Sequence, residues 1–119
     1  MSEISDKVQQ ELLSWHGVTM HDHRFGGIEF RVSGREMGHM HGDMLADLPF
    51  PKDVGKKLIA EGKASPHHVL PESGWISYHI NGNDSVHDVV ELFRMQYDRM
   101  TSYGKRKNNE EPWKSRIVG

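Results

Sequence analysis

Nine of the 119 residues are histidine, and six of these stand in tight pairs: His21 with His23, His39 with His41, and His67 with His68. The pair in GHMHGDM carries the most chemistry. Imidazole is a common transition-metal ligand and exchanges its proton near neutral pH. Two histidines one residue apart on a strand present both rings on one side. Asp43 follows at a turn, where a carboxylate could be a third ligand or orient an imidazole. The cofactor implied is a divalent transition metal, with His39 and His41 as ligands. The same three residues, His39, His41 and Asp43, are the candidates for acid–base catalysis, because a histidine beside an aspartate in a partly apolar cleft can be tuned to the working pH. The competing reading makes both rings structural, hydrogen-bonded at the rim of a core.

The second pair lies in PHHVLPESGW. His67 and His68 sit in a proline-bounded loop that could fold over a sheet end, and Trp75 at the next strand could stack on a ligand. These three are the candidate ligand-binding residues. Ser73 has no G-x-S-x-G around it, and there is no H-E-x-x-H, so neither a serine hydrolase nor a zinc protease of those types is indicated. His21 and His23 read as a solvated strand edge. His79 shares a strand face with Trp75 and borders the same pocket. His16 and His87 need no special role.

The elements that must position these groups follow from periodicity. Ile4, Val8, Leu12 and Trp15 recur at helical spacing over residues 3–15, with Ser2 or Ser5 as cap. IEFRV alternates apolar and polar residues as a half-buried strand does. REMGHMH and MLADL continue it as a three-strand meander through turns at Ser33-Gly34 and Gly42-Asp43. With two-residue turns, residue 32 faces 35 and residue 41 faces 44. One face then carries Ile28, Phe30, Val32, Met37, His39, His41, Met44, Ala46 and Leu48. The other carries Glu29, Arg31, Glu36, Gly38, Met40, Leu45 and Asp47, with Arg31 and Glu36 opposed as an ion pair. A bulge would reverse this parity. The register thus expects a pocket in which two imidazoles stand among Phe30, Ile28, Met37 and Met44.

Pro51 suits the first turn of a helix to about Glu61, with Gly62 as its C-terminal cap. Trp75–Ile80 is a fourth strand. Asn81–Asp84 turns and caps a helix from Ser85 to about Met100, whose Val86, Val89, Val90, Phe93 and Tyr97 share a side. The fold class expected is α+β: a four-stranded antiparallel sheet with helices packed on one face. Residues 1–103 form one domain, and 104–119 a polar, flexible tail.

The totals narrow the function classes. A net charge of −2 lacks the signature of a nucleic-acid binder. There is no cysteine, so thiolate ligands, disulfides and cysteine nucleophiles are excluded. No signal sequence and no apolar run of about 18 residues is visible, so the expected location is cytoplasmic, without a membrane. The expected partner is a small-molecule ligand, and a homodimer stays open.

GHMHGDMLADLPF, VGKKLIAEGKA, PHHVLPESGWISYHI and VHDVVELFRMQYDRM together resemble the luciferase-domain family of small bacterial and fungal proteins, over about residues 26–100. The family name carries no established chemistry. The flavin-dependent luciferases are barrels of about 250 residues, beyond the reach of this chain. The order of elements is also similar to YjbR-like domains. That likeness implies, by analogy, the alternative function, an interaction or nucleic-acid-binding module with structural histidines. Read from the residues themselves, Lys105, Arg106 and Lys107 of the tail, with Trp113 and Lys114, could touch phosphate backbones, although Glu110 and Glu111 interrupt the cluster and a solvated tail is the favoured reading.

Overall fold

The computed structural model describes residues 3–23, 26–67, 73–82 and 85–109, with side chains of the last segment as far as Thr101. His68, Trp113 and Lys114 lie outside the described residues, as do the side chains of Lys105, Arg106 and Lys107.

The order is α1 (Glu3–Leu13), β1 (Val18–Asp22), β2 (Ile28–Val32), β3 (Arg35–His41), β4 (Leu45–Pro49), α2 (Lys52–Ala60), β5 (Ser65–Pro66), β6 (Trp75–His79) and α3 (Ser85–Asn109). The α+β class holds, but the sheet has six strands, ordered β1-β2-β3-β4-β6-β5, and not four. All its pairings are antiparallel. The two added strands are its edges. β1 is exposed beyond Val18, so it shows little apolar alternation. β5 is two residues long and contains Pro66. An edge position tolerates that proline because its missing N–H faces outward.

The meander forms, with a register that differs from the simple one in two places. Ser33 and Gly34 both take positive φ, 55° and 75°, and make the expected two-residue turn that pairs Val32 with Arg35. Arg31 pairs with Glu36 as expected, but Phe30 then pairs with Gly38, so Met37 is an extra, bulged residue. The second turn holds three residues, Gly42 to Met44, and pairs His41 with Leu45. Each irregularity shifts side-chain parity by one. Between β2 and β4 the two shifts cancel, and Ala46 and Leu48 lie on the face of Ile28 and Phe30 as expected. On β3, between them, parity is inverted: Met40 and Gly38 face the core, and His39 and His41 face away from it. Met44, expected in the pocket, is 75% exposed. Arg31 and Glu36 also make no ion pair with each other, since Arg31 binds Glu29 at 2.6 Å and Glu36 binds His39.

The three helices supply one core cluster with the Phe30 face of the sheet: Val8 and Leu12 from α1, Leu58 from α2, Val89 and Phe93 from α3. Phe93 meets Phe30 edge-on at 5.4 Å. Gln96 is fully buried and donates to the carbonyls of Met37 and Pro49, each at 3.2 Å, so α3 also satisfies the backbone around the bulge. Tyr97 packs against Trp15 at 5.3 Å and donates to the His16 carbonyl, which joins the end of α1 to α3.

Gly38 lets α3 approach the sheet. A Cβ there would stand 2.7 Å from the Asp47 carbonyl oxygen, 2.9 Å from Leu48 Cγ and 3.0 Å from Phe93 Cε1. Two of these neighbours are backbone or branched core and cannot swing aside. Gly38→Ala is therefore expected to destabilise by roughly 1–3 kcal/mol through overpacking. Chemical denaturation would check it, and a loss below about 0.5 kcal/mol would mean that the helix-to-sheet contact is looser than described.

Candidate functional site

The inverted parity of β3 builds a polar row on the face opposite the helices. Paired residues on neighbouring strands share a face. Glu29 pairs with His39, His39 with Asp47, Asp47 with Ser77, and Ser77 with Ser65. Five strands thus contribute one polar side chain each to a single line across the sheet. Its centre is well buried: Asp47 and Ser77 are each 1% exposed and His39 is 7%. A polar row so placed requires internal partners.

Asp47 is the hub. Its Oδ1 accepts a hydrogen bond from Ser77 Oγ at 2.6 Å. Its Oδ2 lies 3.3 Å from His39 Nε2, 3.5 Å from His41 Nε2 and 3.7 Å from His67 Nε2. The other nitrogen of His39, Nδ1, lies 2.8 Å from Glu36 Oε2. His39 therefore stands between two carboxylates. Above it the His23 ring stacks at 4.0 Å, and Trp75 lies 5.7 Å from His39 and 5.6 Å from His67. Gly27 brings the turn carrying His23 onto β3, since a Cβ on Gly27 would collide with the Met40 carbonyl oxygen.

The charges follow from these contacts. Burial pulls the His39 pKa down, but hydrogen bonds and charge from Asp47 and Glu36 outweigh it and raise the value to about 9. Burial would raise Asp47, yet hydrogen bonds from His39 and Ser77 and the charges of His67 and His39 hold it at about 2. His41 is lowered, first by burial and then by repulsion from His39. At neutral pH the cluster holds an imidazolium at His39, a carboxylate at Asp47 and a neutral imidazole at His41.

Several sequence expectations converge here and others do not. His39, His41, His67 and Trp75 come together. Asp43 does not join them: its Oδ1 accepts the Ser5 N–H at 2.8 Å and caps α1 from across the fold, the role expected of Ser2 or Ser5. His79 is exposed on the same face, and His21 is exposed with its Nε2 2.9 Å from Thr19 Oγ1. His23 belongs to the cluster rather than to a solvated edge. Asp47, Glu36, Ser77 and His23 escaped the sequence reading because each depends on the bulge or on the sheet order. The apolar walls expected from Phe30, Ile28 and Met37 lie through the sheet, on its other side. A separate cleft of about 400 Å³, lined by Val54, Lys57, Leu58, Glu61, Lys63 and Met95, runs beside α2 and α3.

His39, His41 and Asp47 present donor atoms all within 4.8 Å of one another. His23, Glu36 and His39 form a second such group. Two histidines and one carboxylate on one face are a donor set suited to a divalent transition metal.

A six-stranded antiparallel sheet with its helices on one face and a polar histidine cluster on the other defines a small α+β domain. The Luciferase domain family matches residues 34–96, more than half of the chain, and the chain belongs to that family. That span runs from the β2–β3 turn to α3 and contains Glu36, His39, His41, Asp47, His67, Trp75 and Ser77. No curated protein and no solved structure matches the chain. Among the described residues no helix is long and apolar enough to cross a membrane.

Proposed function

We propose that the domain binds one divalent transition-metal ion through His39 Nε2, His41 Nε2 and Asp47 Oδ2. The observation that carries this reading is the convergence of both Nε2 atoms on a single carboxylate oxygen, at 3.3 and 3.5 Å. Donors that share an ion at about 2.1 Å stand roughly 3–4 Å apart, so little movement is required. The surroundings have the features that support such a centre. Glu36 accepts from His39 Nδ1, which directs Nε2 inward, and Ser77 fixes the Asp47 carboxylate.

A purely structural cluster is the competing account, and the two differ in what a metal does. Metal must displace the proton from His39, so binding weakens as pH falls and releases protons. Protein purified without a nickel column and stripped with chelator is expected to take up about one Zn²⁺ or Co²⁺ per chain by calorimetry. His39→Ala/His41→Ala should abolish that uptake. Uptake that survives in the double variant, or no uptake by the parent protein, would sink the reading. A cluster that takes no metal but whose loss lowers the melting temperature would be structural.

A further inference from the structure

We propose that the outer edge of β1 pairs antiparallel with β1 of a second copy of this chain, about a two-fold axis at Met20. The inference is independent of the metal reading. The two edges of the sheet differ in kind. β5 is two residues long and carries Pro66, and both shortness and proline block edge-to-edge pairing. β1 has no such protection. VTMHD contains no proline, lysine or arginine, and its register with β2 runs unbroken from Val18 to Asp22. Among the described residues no strand lies outside it.

Hydrogen-bond phase decides what that edge offers. In an antiparallel pair, alternate residues turn both backbone groups toward the neighbouring strand. The His23 N–H donates to the Gly27 carbonyl at 2.8 Å, so the phase of the ladder directs His21 and Thr19 toward β2. Met20 and Asp22 therefore direct their N–H and C=O groups outward. Val18 has the same phase, and its N–H donates to the Trp15 carbonyl at 3.3 Å, away from β2. The side chains from Thr19 to Asp22 are exposed, and Met20 is 41% exposed although it pairs with the fully buried Phe30.

A second copy complements this edge in both hydrogen bonding and charge. With the axis at Met20, that residue exchanges both backbone bonds with its own copy, and each Asp22 N–H meets the other copy's Val18 carbonyl. Thr19 then stands opposite His21, a pairing of groups that already meet within one strand, where Thr19 Oγ1 lies 2.9 Å from His21 Nε2. The strand's carboxylate, Asp22, stands opposite Val18, so no like charges oppose each other. The two exposed methionines cover one another. Paired residues share a face, so the helices of both copies lie on one side of the joined sheet and both histidine rows on the other. One short strand pair buries well under the ~1,600 Å² of a standard interface, so the dimer is weak and forms as concentration rises.

Sedimentation equilibrium of the full chain over a wide concentration range tests this. The average mass is expected to climb from one chain toward two. Met20→Lys sets two ammonium groups against each other on the axis and should weaken the dimer at least roughly ten-fold, because like charges directly opposite repel. Its exposed position leaves the melting temperature nearly unchanged. A second variant reads the register itself. The chain has no cysteine, so Met20→Cys carries a single thiol. Bonded antiparallel pairs hold their Cα atoms about 5.5 Å apart, within disulfide reach. Met20→Cys should therefore cross-link under mild oxidation much faster than Met44→Cys, whose site is 75% exposed in the turn between β3 and β4. A parent protein that stays monomeric throughout would overturn the proposal. So would a dimer that Met20→Lys leaves intact, or cross-linking of Met20→Cys no faster than that of Met44→Cys.

Discussion

Asp47→Ala is expected to cost the metal-free protein about 3 kcal/mol at pH 6, and clearly less at pH 9.5. Removing one partner of a buried ion pair leaves the other charge uncompensated, at a typical cost of about 3–5 kcal/mol. Glu36 still holds Nδ1 of His39, which places the loss near the lower end. The substitution also deprives the buried Ser77 hydroxyl of its acceptor.

The pH dependence has a definite sign. The pKa of His39 rises on folding from 6.5 to about 9, so its contribution is complete below 6.5 and fades as pH climbs through 9. That of Asp47 falls on folding from 3.8 to about 2, so its contribution is complete above 3.8 and fades as pH drops through 2. The two share the His39–Asp47 contact and do not add. The parent protein is therefore held best by this cluster between about pH 4 and 6.5, and the penalty of Asp47→Ala shrinks above that window. Urea unfolding of both proteins at the two pH values measures the difference. An equal loss at pH 6 and pH 9.5 would show that His39 is not the charge Asp47 stabilises. In Asp47→Asn the amide can still accept from Ser77, so the loss should be smaller, while metal uptake should still fail.

Phe93→Ala is expected to destabilise the protein by about 3–5 kcal/mol and to leave the intrinsic metal affinity nearly unchanged. The ring is fully buried and fills the contact between α3, Phe30 and the Gly38 surface. Its removal forfeits the transfer of the aromatic side chain, opens a cavity and ends the edge-on pairing with Phe30. For a domain of this size the melting temperature should fall by on the order of 10 °C or more. The cavity lies on the helical side of the sheet, whereas the histidine row lies on the other. Calorimetric metal titration well below the new melting temperature therefore separates stability from site integrity. A fall in metal affinity of tenfold or more would mean that the core side of the sheet sets the geometry of the histidine side.

The sequence by itself determined much of the frame. The helical spacing of Val8 and Leu12, the alternation in IEFRV, the stop at Pro49 to Pro51 and the side shared by Val89 and Phe93 are local patterns. Each is decided by the short-range geometry of one element. That GHMHGDM and PHH concentrate side chains able to bind metal or exchange protons was legible for the same reason, as residue type and spacing within a few positions. Which face the histidines occupy was not local. It turned on one bulged residue, Met37, and one extra turn residue, Met44, either of which reverses side-chain parity. Asp47 read as a residue remote from His39 and His41 because the simple register set it on the opposite face. Likewise, Asp43 read as their neighbour because it is close in sequence. Tertiary structure exchanged the two carboxylates: Asp43 went to the α1 amide and Asp47 to the histidines. The physical reason is that a strand's side-chain period is two, so one inserted residue moves the histidines of β3 across the sheet to the face that Asp47 already occupies, and only the pairing of whole strands under α3 fixes where that residue is inserted.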